Sequence, residues 1–427
     1  MSDRTATRQA PAADPRLTRL IIATSLGNAM EFYNITVYAY FAMYISKAYF
    51  PSSNETVGLL MTFGAFALSF VTRPIGAVVL GRYADTVGRK PGMLLCILLM
   101  FVGTAMVTFM PVYATIGILA PIGNLVARLI QGFAVGGQFG SATAFVVESA
   151  PERRGFMASW QFASQGAAGV LAGLFGVLLA LLLPAAQLQA WGWRIPLGFG
   201  LLVGPIGLYI LRFLDEPVAK AEPEPRGQSV LATLFRQQKL RLAVAIGCLI
   251  ISTAVNYLVL YIPTYTVKQL GMASSTGFAV SLAAYLILTV LSPLAGHLSD
   301  SLGRTRLMLI ATVVLFFSFY LCFLAMTSMP RGTILFAVVI WLAIWKAVYY
   351  GALPALMSDL FPKATRATGL SLSYNLGVTL FGGLGPLVML WLTRTTGSSL
   401  APAYYLMALA VLSFAALLAA RRRYGII

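Results

Sequence analysis

Along the chain, apolar runs alternate with short polar joints. The runs fall near 20–45, 55–81, 92–110, 113–140, 155–183, 193–213, 241–268, 275–297, 306–327, 332–357, 368–393 and 402–420. A hydrocarbon core of ~30 Å is crossed by about 20 apolar residues in helical form, so each run is long enough for one passage. Twelve transmembrane helices are predicted. Composition agrees: 59% of the 427 residues are hydrophobic and 10% are charged, with mean hydropathy +0.83, outside the range of soluble domains. The first 19 residues are polar, and the segment after them is too long and too interrupted for a cleaved signal peptide, so the N-terminus is expected in the cytoplasm. Cys96, Cys248 and Cys322 all lie inside predicted spans. No disulfide framework, metal site or cofactor is implied.

The runs form two similar sets. GRYADTVGRKPGML from Gly81 and GHLSDSLGRTRLML from Gly296 align without a gap at an offset of 215, with Gly, Asp, Gly, Arg, Met and Leu coinciding. Each copy occupies the inner joint between the second and third span of its half. ESAPERR from Glu148 and DLFPKATR from Asp359 repeat a second pattern at an offset of 211: an acid, a proline three residues on, then a basic residue. A near-constant offset implies duplication, and hence an all-α integral membrane protein of two pseudo-symmetric six-helix bundles. The expected units are a cytoplasmic tail at 1–19, bundles at 20–214 and 240–420, a linker at 215–239 and a cytoplasmic tail at 421–427. The linker opens with DEPVAKAEPEPRGQ, which has no apolar periodicity.

A formal charge of +17 would suit a nucleic-acid partner if the cations shared a surface. They sort by membrane side instead. With both termini inside, 22 Lys and Arg lie in cytoplasmic segments and 5 outside, namely Lys47, Arg194, Lys268, Arg331 and Arg394. This positive-inside bias reports topology and contact with anionic lipid, with no nucleic-acid partner. Arg73, Arg128 and Lys346 remain within the spans, where Glu31 is the only deep acid.

A charge at the bilayer centre costs at least ~2.5–3.5 kcal/mol, so each should face a cavity or a partner. Asn124, Arg128, Gln131 and Gln138 recur near helical period and form one polar stripe. Lys346 precedes Tyr349 and Tyr350, and the repeat offset carries Gln131 onto it. Arg128 and Lys346 are therefore expected to face each other across the pseudo-twofold axis. Two cations in a central cavity would select anions, Arg128 gripping a carboxylate bidentately and Lys346 acting as a point charge. Alternatively, Arg128 pairs with Glu31 and simply holds helices together. Gln161 and Gln165 lie one turn apart, as do Ser371 and Asn375; such groups read a ligand or bond helices to each other. Tyr38, Tyr257, Tyr261 and Tyr265 are candidates for the cavity wall or for interfacial anchoring. Arg73, before Pro74, reads as structural, able to snorkel or to bond freed carbonyls. Glu148 is expected in a cytoplasmic charge network with Arg89 or Arg154. His297, in an inner loop, is a poor proton site despite its chemistry.

The G-x-x-x-D-x-x-G-R-K signature at Gly81, Asp85, Gly88, Arg89 and Lys90, with its weaker copy around Asp300 and Arg304, resembles that of the major facilitator superfamily. GNAMEFYN, RPIGAVVLGRYADTVGRK, RLIQGFAVGGQFG, SWQFASQ, WGWRIP, YIPTY and ATGLSLSYNLGVTLFGGLGP narrow the resemblance to its metabolite:proton symporter branch, and within it to citrate and tricarballylate carriers. The resemblance implies a transporter of the bacterial inner membrane, not an enzyme. Its partners would be a small organic anion, protons and lipid, and a monomer is expected. Two positions depart from the pattern. Citrate-type relatives carry an apolar or aromatic residue at Lys346, so the added cation points to a different acid or to a lysine that cycles its own proton. They carry a second acid at Asn34, whose amide can still hydrogen-bond a substrate.

No phosphate-binding loop or soluble ATPase segment occurs, so uphill transport would need an ion gradient. Glu31 is the candidate proton carrier: Arg128 would hold it ionised, and an anion occupying that arginine would favour its protonation. The substrate set is then Arg128, Lys346, Gln131, Asn34, Gln165, Asn375, Tyr349, Tyr38 and Gln161. The gating set is Gly81, Asp85, Gly88, Arg89, Asp300 and Arg304, placed where the two halves meet at the inner surface. Import of a di- or tricarboxylate with protons is the reading these residues favour. A betaine-like osmolyte carrier, an anion facilitator or exchanger, and a non-transporting sensor are the alternatives. The residue clusters that an embedded enzyme or a channel would need are not visible.

Overall fold

The computed structural model describes residues 15–426 other than 88, 137, 150 and 214–229. Among the described residues every regular element is helical. Helix α1 comprises Pro15–Tyr40 and, after a break at Phe41, Ala42–Tyr49. It is followed by α2 (Glu55–Val87) and α3 (Arg89–Phe109). Helix α4 is built from Leu119–Val135 and Gln138–Ser149, and α5 is Arg154–Leu182. Helix α6 combines Arg194–Gly200 and Val203–Phe213. The second set is α7 (Lys239–Lys268), α8 (Ser274–Leu302), α9 (Arg304–Ser328), α10 (Gly332–Asp359), α11 (Lys363–Thr396) and α12 (Ala401–Tyr424). Nine of the described helices are long and apolar enough to cross a membrane. The other three passages, α1, α4 and α6, carry the polar GNAMEFYN run or are interrupted. Twelve passages result, six in each bundle.

Two boundaries shift from the sequence reading in ways that matter. The fourth passage was expected at 113–140, but Gly117 at φ 58° ends the short turn Tyr113–Ile116, and α4 runs on to Ser149. The second was expected to end at 81 and continues to Val87. Arg73 consequently lies 14 residues, about 21 Å along the helix axis, from the end of α2.

The bundles meet along several helices, α5 on α8 most extensively, with α1 on α7 and α2 and α4 on α11. Lipid provides no hydrophobic force between helices, so this seam relies on close packing of small residues. Gly155, Gly166, Gly169, Gly173 and Gly176 of α5 lie against α8; a Cβ at any of them would come within 3.0 Å of Gly296, Thr289, Tyr285, Leu282 or Phe278 respectively. Between α8 and α9, Gly303 has φ 93° and ψ 132°, a conformation closed to residues with a Cβ.

The seam gives a direct test. Gly166→Leu would drive its side chain into the Thr289 backbone and is expected to destabilise the protein by about 1–3 kcal/mol, seen as a lower thermal unfolding midpoint in detergent. Gly64→Ala, where a Cβ meets nothing within 4 Å, is expected to leave the midpoint unchanged.

Candidate functional site

A cavity lies between the bundles, lined by Glu31, Phe32, Ile35 and Arg73 from α1 and α2, Gln165 from α5, and Thr253, Asn256, Tyr257, Tyr350, Tyr374 and Val378 from the second bundle. Its volume is about 10 Å³, room for roughly one water. Glu31 meets Arg73 in its wall, Oε1 to NH1 at 3.9 Å. Arg73 is 2% exposed, and its guanidinium carbon sits 4.1 Å from the centroid of Phe70. The Arg73 side chain thus lines the cavity and is buried against Glu31 and Phe70, so it does not snorkel to the inner surface as the sequence reading allowed. The expected Glu31–Arg128 pair does not form.

Arg128 is enclosed in the first bundle. Its guanidinium carbon lies 4.1 Å from the Tyr38 centroid and 5.3 Å from that of Phe66, and NH1 donates to Gln131 Oε1 at 2.7 Å. Gln131 Nε2 donates to Thr104 Oγ1 at 3.0 Å, and Thr104 Oγ1 donates to Asn34 Oδ1 at 3.4 Å. Asn34 also donates to the Met30 carbonyl and is close to Gly200 of α6; it points between α3 and α6, away from the cavity. Tyr38 donates to Asn124 Oδ1 at 2.9 Å. Asn124, Arg128 and Gln131 of the α4 stripe thus bond within their own bundle, with Asn124 Nδ2 and Arg128 Nε left without a hydrogen-bond partner; the side chain of Gln138 lies outside the described residues.

Lys346 is enclosed in the second bundle, 2% exposed. Its Nζ donates to Asn256 Oδ1 at 2.6 Å and lies 4.8 Å and 5.4 Å from the centroids of Tyr285 and Tyr350. Arg128 and Lys346 therefore do not converge on one pocket here; each has its own aromatic and amide partners. Lys346 stands one residue behind the cavity wall, through Asn256 and Tyr350.

The remaining candidates divide between wall and packing. Gln165 lines the cavity and donates to Tyr374 OH at 3.4 Å. Gln161 is buried beside it on α5, and its backbone carbonyl accepts from Asn28. Asn375 Nδ2 donates to the Gly136 carbonyl at 2.6 Å, tying α11 to the break in α4. Tyr349 donates to the Cys248 carbonyl inside the second bundle. Asn256, Thr253 and Tyr374 were missed by the sequence reading, although Asn256 is the sole amide in the apolar body of α7 and met the same rarity criterion as Arg128.

Both ends of the interface are bridged. At the end bearing the duplicated signature, Asp300 of α8 accepts from the backbone N–H groups of Gly155 and Phe156 at 2.8 and 3.1 Å. A carboxylate there complements the positive N-terminus of α5. Asp300 also pairs with Arg304 at 3.4 Å, and Arg304 pairs with Asp359. Arg154–Asp359 at 3.3 Å and Glu148–Arg366 at 2.8 Å cross between bundles, so among the described side chains Glu148 pairs with Arg366, and Arg154 with Asp359. In the first copy Gly81 lies near the end of α2; Gly88 and the side chains of Asp85 and Arg89 lie outside the described residues. His297 is exposed beside Phe156. At the opposite end Glu55 of α2 pairs with Lys268 of α7 and, at 3.6 Å, with Lys47. Among the described residues, charged contacts thus close both ends around the small central cavity.

Residues 22–290 match the family described as the Major Facilitator Superfamily. A citrate-proton symporter of Klebsiella pneumoniae is 32% identical over 400 residues, 93% of this chain and 90% of the relative. A glycine betaine/proline/ectoine/pipecolic acid transporter of Dickeya dadantii is 34% identical over 414 residues, 93% and 82% respectively. The fold is shared with the xylose transporter of E. coli in a partially occluded inward-open conformation, with TM-score 0.72 and 16% identity over 95% of this chain and 97% of that one.

Because Asp300 joins the bundles at one end through two backbone donors, Asp300→Asn is expected to loosen that end selectively. Hydrogen exchange of the amides of Gly155 and Phe156 should rise by about one to two orders of magnitude, the effect of losing one charge-assisted bond of ~1.5–3 kcal/mol. Exchange around Glu55 and Lys268 should not change.

Proposed function

The chain belongs to the major facilitator superfamily, and on that premise we propose that it imports a small di- or tricarboxylate across the bacterial inner membrane together with protons, by alternating access of its two bundles. The observation that carries this reading is the Glu31–Arg73 pair in the wall of the cavity between the bundles. It joins the only deep acid of the chain to a cation that can grip a carboxylate. A neutral pair is stable in a nearly dry chamber. An entering carboxylate that takes Arg73 leaves Glu31 without its counter-charge, and an unpaired carboxylate there is costly enough to take up a proton. Anion and proton then load together. Release of the anion on the other side returns Arg73 to Glu31 and expels the proton.

The other side chains take supporting parts. Arg128 and Lys346 keep the surroundings positive from behind the wall, with Gln131, Tyr38 and Tyr349 holding their helices in place. Gln165, Gln161 and Asn256 supply amides to ligand oxygens as the bundles part, and Asn375 and Asn34 maintain helix contacts beside the site. A tricarboxylate needs far more room than the occluded cavity has, so binding requires that rocking motion. Asp300 and Arg304, with Asp85 and Arg89 as their counterparts in the Gly81-to-Arg89 signature that also carries Gly88, serve as the cytoplasmic gate. That assignment follows from the 22-to-5 distribution of cations, which puts the signature end and both termini inside.

One observation favours a second reading, a carrier of betaine-like zwitterions: the betaine/proline relative is as similar to this chain as the citrate relative. Three buried cations against one acid weigh against it.

Purified protein in liposomes, with labelled citrate, tricarballylate, succinate and glycine betaine, separates the two. Carboxylate accumulation driven by an inward proton gradient and abolished by a protonophore is expected. Gradient-independent uptake would remove symport, and uptake of betaine alone would favour the second reading. Glu31→Gln is expected to abolish gradient-driven accumulation while leaving exchange measurable. Arg73→Ala is expected to weaken carboxylate binding by about 2–5 kcal/mol, thirtyfold or more in Kd; unchanged affinity would remove Arg73 from the site.

A further inference from the structure

The surroundings of Lys346 have a chemistry of their own. Two tyrosine faces, Tyr285 and Tyr350, bracket its Nζ at 4.8 and 5.4 Å, and Asn256 Oδ1 accepts from it at 2.6 Å. Tyr285 OH donates to the same oxygen at 3.4 Å. Tyr350 is backed by Phe162, stacked at 3.9 Å between centroids, and Tyr285 by Tyr40 at 6.5 Å. No carboxylate is paired with this ammonium among the described residues. Aromatic faces around a desolvated cation, without a formal counter-charge, are the arrangement by which proteins recognise quaternary ammonium groups from solution. Here the cation is the protein's own, delivered on a side chain of α10.

The cage also opens in the right place. Asn256 and Tyr350 line the central cavity as well as holding Lys346, so a ligand anchored by its carboxylate at Arg73 would have this cage within the same chamber. We propose that Asn256, Tyr285 and Tyr350 form a latent quaternary-ammonium site, occupied by the tethered ammonium of Lys346, and that this occupancy sets the carrier for anions and excludes betaines. The inference rests on the central cavity being the substrate site. With Lys346 in place, a trimethylammonium group meets both a filled cage and a like charge. Without it, a betaine would find its carboxylate and its ammonium complemented together.

Liposomes containing wild-type protein, Lys346→Ala or Lys346→Met, assayed with labelled glycine betaine, test this. Wild type is expected at background, and Lys346→Ala to gain uptake about tenfold or more, inhibited by tetramethylammonium. Lys346→Met refills the cage without charge and is expected to stay near wild type. Betaine uptake by wild type equal to that of Lys346→Ala, or an equal gain in Lys346→Met, would overturn the proposal. Carboxylate accumulation in the same vesicles distinguishes the failures: if Lys346→Ala accumulates carboxylate but gains no betaine uptake, the cage is wrong and the transport reading stands. If wild type accumulates no carboxylate, the transport reading itself fails. A measurement on wild-type protein needs no folded variant at position 346. With lysine labelled at Cε by carbon-13, one ε-methylene resonance is expected to be shifted upfield by the two rings; absence of any such shift overturns the cage.

Discussion

Positive charge can be held inside a membrane protein only if something compensates it, and the interior of this chain is organised around that requirement. Three cations and one acid are buried at depth. Glu31 serves one cation. The others are held by quadrupoles and amides: Arg128 by Tyr38, Phe66 and Gln131, and Lys346 by Tyr285, Tyr350 and Asn256. Even Arg73, which has the carboxylate, rests on Phe70. Aromatic faces attract a cation without cancelling its formal charge. The interior is thus stabilised and still positive, which is the physical basis for reading it as a container for anions.

Much of this was legible in the sequence, and what was not has identifiable causes. The spans, the duplication and the signature at the bundle interface follow from apolar run lengths and repeat offsets, which depend on local chemistry. The partner of Glu31 does not, because it depends on which side chains the packed helices turn toward one another. Run lengths and repeat offsets say nothing of that, and Arg73 of α2 meets Glu31 of α1 only in the assembled bundle. Equally, the repeat offset assigned Arg128 and Lys346 to corresponding helices but could not say which way the side chains turn. Each turns into its own bundle, where aromatic residues scattered over several helices meet it.

Asn34 shows how a departure from a resembling family acquires meaning only in three dimensions. From the sequence, the missing acid weakens proton coupling at Glu31. In the structure Asn34 faces away from the cavity and ends a hydrogen-bonded series through Thr104 and Gln131 to Arg128. An acid there would lie at the far end of the Arg128 network. With an amide instead, Arg128 has only neutral acceptors, consistent with its retreat onto Tyr38. The bundles, meanwhile, are joined differently at centre and ends. Gly-rich α5 allows backbone-level packing along the seam, whereas the ends depend on charges that water and salt can reach.

The uncancelled charge also bears on energetics beyond binding. Counted formally, Arg73, Arg128 and Lys346 against Glu31 leave the unloaded interior at a net charge of two. Each elementary charge moved across the membrane field is worth about 2.3 kcal/mol per 100 mV. A dianion arriving as proposed would neutralise that excess, and an accompanying proton would restore only part of it. In such a cycle an inside-negative potential would act chiefly on whichever half carries the larger uncompensated charge. On the proposed mechanism, the cations that the aromatic residues shelter would make turnover respond to membrane voltage as well as to the pH difference across the bilayer.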